Sequence, residues 1–395
     1  MISMEFHSWK ASQFKHIKVL HIVMFAIAFF AQVAQADDRK SASPVSLIGD
    51  YKKVSFSPIK GERFDIPIVF KDRKKIAAIE VDILTEDNDL VRSLKLESLP
   101  KTTKKSLVVV WDGKDQKGEV VPDEAYFPMV RILPKRGKVL EYSAKSDLAG
   151  EEVYKFDKKI NPGSIEYDLP ETSRVLIRSG IFNGPMLRTI VDWEPRTKGF
   201  HVERWNGRDS DSLKNIESMP DISYLVIGYR LPESAILTYG NASLSYKDYR
   251  QANGWPIKTA RADEKVLERN GRPVRPEYYL PIGQLKSAAI SVDLTNVSSG
   301  KSETEFKQFD EIVTSVSIAK EDEFYLDQSR YEISFFVDNV FIAEEEQGFV
   351  PFKWRWSPGR YGIQLGEHTL TVNVSSYNGQ VTVKNMRFVL KEDPQ

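Results

Sequence analysis

The 395-residue chain is 41% hydrophobic and 28% charged, the balance of a folded globular protein. Basic and acidic residues are equal at 56 each, so the basic excess that marks a nucleic-acid binder is missing. There is no cysteine, which excludes disulfides, thiolate nucleophiles, cysteine zinc sites and cysteine-attached haem.

Lys10, Lys15 and Lys18 precede an apolar run over residues 19–31, then Ala34-Gln35-Ala36 and an abrupt change to Asp37-Asp38-Arg39-Lys40. A basic start, an apolar stretch of about a dozen residues and an A-x-A end predict an export signal over 1–36, cleaved after Ala36. A membrane anchor needs about 20 apolar residues, and His21 and Gln32 bound this run too closely. The expected location is therefore the periplasm or the exterior, with no membrane span left after cleavage. His201 and His368 are then the remaining histidines.

Downstream, helical periodicity is scarce. After a lead-in over 37–59, short alternating runs of β-branched and aromatic residues are separated by Gly, Pro, Asn and Asp, which predicts strands. The clearest are 79–84, 107–111, 130–133, 175–181, 224–229, 288–294, 333–337, 369–374 and 381–383. Asn378-Gly379, between the last two, predicts a type I′ hairpin turn. Strands this short and numerous predict antiparallel sandwiches.

Four segments recur in the same order about 100 residues apart, the mark of a duplicated module. Phe64-Asp65-Ile66-Pro67 is echoed by Tyr167-Asp168-Leu169-Pro170, and Val91-Arg92-Ser93-Leu94 by Leu187-Arg188-Thr189-Ile190. Trp111-Asp112-Gly113-Lys114-Asp115 returns as Trp205-Asn206-Gly207-Arg208-Asp209, and Pro122-Asp123-Glu124-Ala125-Tyr126 as Pro220-Asp221-Ile222-Ser223-Tyr224. These set a first module at 60–150 and a second at 160–238. Physically, the Trp ends a strand and fills the space between two sheets. Asp or Asn followed by Gly makes a tight turn. The later Tyr packs inward with its hydroxyl on a backbone partner. Nothing in the repeat requires catalysis.

At these residues the chain resembles the immunoglobulin-like domain of flagellar hook-capping proteins, a module that also occurs in tandem in exported bacterial proteins. Trp111, Asp112, Gly113, Asp115, Gly118, Val121, Pro122 and Tyr126 carry the match. The second copy departs from it at Asn206 and has 210–216 in place of the later glycine, which implies a longer turn. The resemblance covers about residues 60–235 and implies a fold rather than a role. A third module, 287–392, is similar to bacterial immunoglobulin-like domains through Phe335-Phe336-Val337-Asp338-Asn339 and Gly366-Glu367-His368-Thr369-Leu370. Such domains are commonly non-catalytic appendages of surface and polysaccharide-acting proteins.

Between the second and third modules, residues 239–286 are polar, aromatic and basic. Residues 245–250 and 261–269 suggest short helices. An unstructured linker this long is unusual in a compact protein, so the segment reads as an insertion folded onto a neighbour or a docking element. Trp255, Tyr246, Tyr249, Arg272 and Arg275 are its candidate partner contacts.

Other constellations have plain structural readings. Glu86-Asp87-Asn88-Asp89 offers oxygen ligands but lacks the glycine and distal glutamate of a helix-loop-helix calcium site, and reads as a solvated turn. Two distant histidines do not make a zinc site. No Gly-x-Ser-x-Gly elbow or phosphate loop is present, so neither cofactor nor catalytic residue is expected. Trp354 and Trp356 share one face of a strand, with Tyr361 nearby. Buried they are the core of the third module; exposed they would stack sugar rings. The sequence therefore predicts an all-β chain of three immunoglobulin-like β-sandwich modules with a partly helical insertion before the last. Its expected function is non-catalytic binding or scaffolding of an envelope or surface protein, with polysaccharide binding as the alternative.

Overall fold

The computed structural model describes residues 45–47, 51, 53–70, 76–96, 106–143, 149–153, 157–258 and 266–392. The expected export segment lies outside them, as do residues 261–265 of the second expected helix.

Alternation builds the first sandwich. In strand Ile76–Leu84, Ile79, Val81 and Ile83 are buried inward while Glu80 and Asp82 take the opposite face. Ile76–Leu84 lies between Leu90–Leu96 and Ala125–Pro134. A second sheet, ordered Val45–Leu47, Phe64–Phe70, Ser106–Trp111, closes over them. Trp111, fully buried, fills the space between with Phe56 and Tyr126 edge-on to it at 5.5 and 5.2 Å. Part of the lead-in belongs to this sandwich: Val45–Leu47 pairs with Phe64–Phe70, and Ser55–Phe56 pairs in parallel with Ile236–Thr238. That last strand also pairs with Tyr126 and Ala125, so the chain leaving the second module returns to the first.

The second sandwich repeats the plan. Ser173–Ile181 lies between Met186–Arg196 and Ile222–Arg230, with Glu152–Val153 at the edge. Lys158–Asn161, Ser164–Leu169 and Gly199–Arg204 form the facing sheet. The repeated loop shares most of its hydrogen bonds between the two copies, although Trp111 Nε1 donates to Lys114 O and Trp205 Nε1 has no partner among the described residues. Gly113 and Gly207 take φ of 71° and 69°, and their carbonyls accept Val121 N at 3.1 Å and Ile216 N at 2.8 Å. The Asp115 carboxylate receives Lys117 N and Glu119 N, and Asp209 receives Leu213 N and Lys214 N. The repeated arginine clamps the same carbonyl: Arg92 donates to Asp115 O at 2.6 Å, Arg188 to Asp209 O at 3.0 Å. Tyr126 donates its hydroxyl to Pro122 O at 3.0 Å. The echo is inexact in the second copy: Phe64 pairs with Trp111, but Tyr167 pairs with His201 rather than Trp205, and Tyr224, the counterpart of Tyr126, is only partly buried. Trp205 is accordingly only partly buried.

The third sandwich stacks Lys301–Ser302, Ile290–Asn296, Ile312–Ile318 and Phe352–Trp356 on a five-stranded sheet. That sheet runs Glu305–Lys307, Val381–Lys391, Gly366–Ser376, Tyr331–Val337, Val340–Glu345. At Asn378-Gly379 only Gly379 has positive φ, so this hairpin turns through a single left-handed glycine rather than the expected type I′ pair. Two successive positive φ values occur instead at Asp338 and Asn339. Helix Tyr246–Ala252 forms where expected, its cap Ser245 accepting Asp248 N at 3.0 Å. Glu268–Arg269 pairs with Arg272–Pro273 as a hairpin, correcting the end of the second expected helix. Two further helices, Ile282–Leu285 and Lys320–Asp327, were not foreseen.

Candidate functional site

The acidic turn of the first module is buried, not solvated. Glu86, Asp87 and Asp89 are 2%, 7% and 4% exposed. Buried carboxylates need cations or donors, and these come from far along the chain. Arg174, fully buried on strand Ser173–Ile181, donates from Nη2 to Glu86 and, at 2.6 Å, to Glu124 Oε1. Its Nη1 reaches the Trp193 carbonyl at 2.7 Å. Trp193 has φ 51°, a left-handed conformation that costs energy in a bulky residue. Here it accompanies the register shifts of its hairpin and leaves that carbonyl facing the guanidinium. Burial raises the Glu124 carboxyl above its ordinary value even against the pull of Arg174.

The insertion supplies the remaining partners. Tyr246 donates to Asp87 Oδ2 at 3.2 Å, and Ile282 N to Asp87 Oδ1 at 3.1 Å. Arg250 donates to Asp89 at 3.0 Å, to Pro256 O at 2.8 Å and to the hydroxyl of Tyr325, in the third module, at 3.0 Å. Lys258 lies 3.2 Å from Asp89. Cations and donors of the chain itself thus occupy the oxygens that a calcium ion would take.

The same contacts place the candidate partner residues. Tyr246 and Tyr249 are buried, with the Tyr249 hydroxyl on Asp115 at 3.1 Å. Trp255 stands edge-on to Tyr249 at 5.3 Å and packs on the first module's core. Arg275 is held between Glu152 and Glu277, at 3.0 and 2.7 Å. Arg272 pairs with Glu171 at 2.8 Å and keeps 32% of its side chain exposed. The structure gathers Tyr246, Tyr249 and Trp255 on one side of the insertion and sets Arg272 and Arg275 against the second module. The segment is folded onto its neighbours. Of the alternative set, Trp356 is core and donates to Thr314 Oγ1 at 2.9 Å. Trp354 packs parallel on it at 4.9 Å and against Phe335 at 4.6 Å, while Tyr361 is half-exposed.

A cleft of about 280 Å³ separates the first two modules, lined by Asp123, Glu194, Arg196, His201, Thr238 and Tyr239. Its charged groups are engaged. Asp123 accepts Gly240 N and Asn241 N at 3.0 and 2.7 Å, and burial raises its carboxyl. Glu194 pairs with Lys286, Arg196 forks onto Glu203, and His201 Nε2 meets Thr197 O at 2.6 Å. His368 sits away from this cleft, against Asp338 at 2.6 Å. Among the described residues, no group of three or more His, Asp or Glu is arranged to hold a metal ion. No helix is long and apolar enough to cross a membrane, again among those residues.

Open sheet edges are the surfaces sequence reasoning did not single out. Among the described residues, Ser106–Trp111 and Gly199–Arg204 each pair on one side only, and so does Val340–Glu345. They expose Val108 and Val110, Phe200 and Val202, and Val340 and Phe341. The period-two pattern was the available signal, but it does not say which strand ends a sheet.

The sheet orders define the class: an all-β chain of tandem immunoglobulin-like sandwiches. No family model matches the chain, and no curated protein matches it. Among solved structures it is similar to the fibronectin(III)-like modules of Clostridium thermocellum CbhA, at 9% identity and TM-score 0.18, covering 88% of this chain and 94% of that one. It is also similar to a chain solved for insight into host cell surface retention of a 1.5-MDa bacterial ice-binding adhesin, at 8% identity and TM-score 0.20, covering 89% of this chain and 98% of that one. The FN1–FN3 domains of chicken CNTN1 align at 8% identity and TM-score 0.16, covering 88% and 97%. Superpositions this loose say nothing about what the chain binds.

Proposed function

We propose that the chain is an exported, non-catalytic scaffolding protein of the bacterial periplasm or cell surface that engages a protein partner. The observation that carries this reading is the buried ionic centre: Arg174 and Arg250 bind the first module's acidic turn to the second module and to the insertion. A base built this way holds the surfaces of the first two modules at fixed spacing. The apolar open edges at Val108, Val110, Phe200 and Val202 are the surfaces offered, and a partner strand adds to such an edge by main-chain hydrogen bonds. Export rests on the basic-apolar-A-x-A segment over 1–36. The hook-capping resemblance contributes a fold and no role.

Cross-linking and mass spectrometry on intact producing cells test this reading, with a tagged chain and two variants. Loss of one specific protein partner in Val108→Lys with Phe200→Lys, and its retention in Trp255→Ala with Arg272→Ala, is the expected result. The reverse pattern moves the interface to the insertion. Recovery of envelope polysaccharide alone refutes the protein-partner reading.

A further inference from the structure

Apolar packing divides the chain unevenly. One cluster is shared by Phe127 of the first module, Leu176 and Trp193 of the second, and Tyr246, Tyr278 and Leu285 of the insertion. The third module's cluster draws only on its own residues, from Ile290 to Leu390. Among the described residues, the third module is joined to the rest mainly by polar contacts. The Asn373 amide bonds Met186 N and O at 2.8 and 2.9 Å. Asp211 holds Lys384 and accepts Asn385 N at 2.7 Å, and Arg387 donates to Leu213 O at 2.7 Å. Lys247 pairs with Asp322 at 2.5 Å. The Tyr325 ring packs closely on Gly283, and its hydroxyl accepts Arg250 of the base at 3.0 Å.

This seam also strands polar atoms. Arg178 donates from Nη1 to Gly379 O at 2.9 Å, while its Nε and Nη2 find no partner among the described residues. Asp192 Oδ1, Gln284 Oε1 and Asn385 Nδ2 are in the same position. Buried groups of this kind take water. The Arg174 seat, by comparison, leaves only its Nε unpartnered. Contacts between domains of one chain permit relative motion unless they are large and hydrophobic.

We propose that the third module is a hinged arm on a rigid base made of the first two modules and the insertion. The two are linked through residues 286–289, where Lys286 pairs with Glu194 and Ser287 N donates to Asp192 on the base side while Ala288 O accepts Thr382 on the arm side, and the seam is a wet, ion-paired joint. Salt screens the part-exposed Lys384–Asp211 and Lys247–Asp322 pairs more than the buried Arg174 and Arg250 pairs of the base, and it does not weaken apolar burial, so it opens this joint and leaves the base intact.

The full chain tests this directly, because it has no cysteine to compete with introduced spin labels. Ile160, Val139 and Phe349 are exposed positions in the second, first and third modules. Labels at Ile160→Cys and Val139→Cys measure the base; labels at Ile160→Cys and Phe349→Cys measure the joint. We expect the base distance to stay single and narrow from about 0.05 M to about 1 M salt, where the screening length falls to about 3 Å. The joint distance broadens at high salt, and in Lys384→Met it is already broad at low salt. A joint distance that stays narrow at high salt and in Lys384→Met overturns the proposal, as does a base distance that broadens with it.

Discussion

Replacing Arg174 by Met removes the cation that pairs with the buried carboxylates of Glu86 and Glu124. The Glu86 and Glu124 side chains are 2% and 0% exposed, and Arg174 itself 0%, so water cannot substitute without opening the seam. Breaking a buried pair from one side costs about 3–5 kcal/mol, because the other charge is left uncompensated. The Trp193 carbonyl loses its 2.7 Å donor as well, a loss worth about 1–3 kcal/mol in a buried acceptor. These overlap, and we expect a total near the upper end of about 3–5 kcal/mol at neutral pH. The sign of the pH dependence follows. Burial already raises the Glu124 carboxyl, and loss of Arg174 raises it further, so acid neutralises the stranded group and the variant's deficit shrinks as pH falls. Urea unfolding, followed by tryptophan fluorescence and far-ultraviolet dichroism at pH 7.5 and pH 5, measures both quantities. Adding Glu86→Gln and Glu124→Gln to Arg174→Met should recover part of the loss. A deficit below about 1 kcal/mol, or one that does not change with pH, would refute the argument that this arginine holds the modules together.

Tyr126→Phe should cost about 0.5–1.5 kcal/mol in urea unfolding, the low end for a buried bond, because Pro122 O keeps the Thr238 hydroxyl at 2.8 Å. Gly113→Ala combines left-handed strain of about 1–3 kcal/mol with a Cβ 2.2 Å from the Pro58 ring. Gly254→Ala carries the strain alone, so equal thermal shifts for the two would contradict the packing account. Glu203 is partly buried, which opposes ionisation, yet the Arg196 fork prevails and holds its carboxyl below the ordinary value of 4.5. A depressed carboxylate stabilises the fold above its unfolded value and stops doing so as pH falls through the folded one. The urea midpoint should therefore decline below about pH 4.5. Glu203→Gln should flatten that decline, and an unchanged slope in the variant would remove Glu203 as its source.

Local chemistry made much of this chain legible in advance. The expected strands all overlap observed ones, and except for 288–294, which starts two residues early, they lie inside longer observed strands, because alternation shows a strand's middle better than its ends. The Trp-Asp/Asn-Gly loops formed as read, since a glycine at positive φ and a nearby carboxylate settle such a turn within a few residues. Tertiary structure alone decided what Glu86, Asp87 and Asp89 do. An acidic turn reads as solvated when nothing near it in sequence can neutralise it, and its partners Arg174 and Arg250 lie 88 and 161 residues away. The same holds for Tyr246, Tyr249 and Trp255. An aromatic, basic segment has the composition of a docking surface whether it meets another protein or its own first module. Trp354 and Trp356 could be placed on one face from their spacing, but which face looks inward depended on the second sheet. Periodicity and turn chemistry act over a few residues and are written in the chain. Burial of charge depends on which modules come together, and that is decided only when they pack.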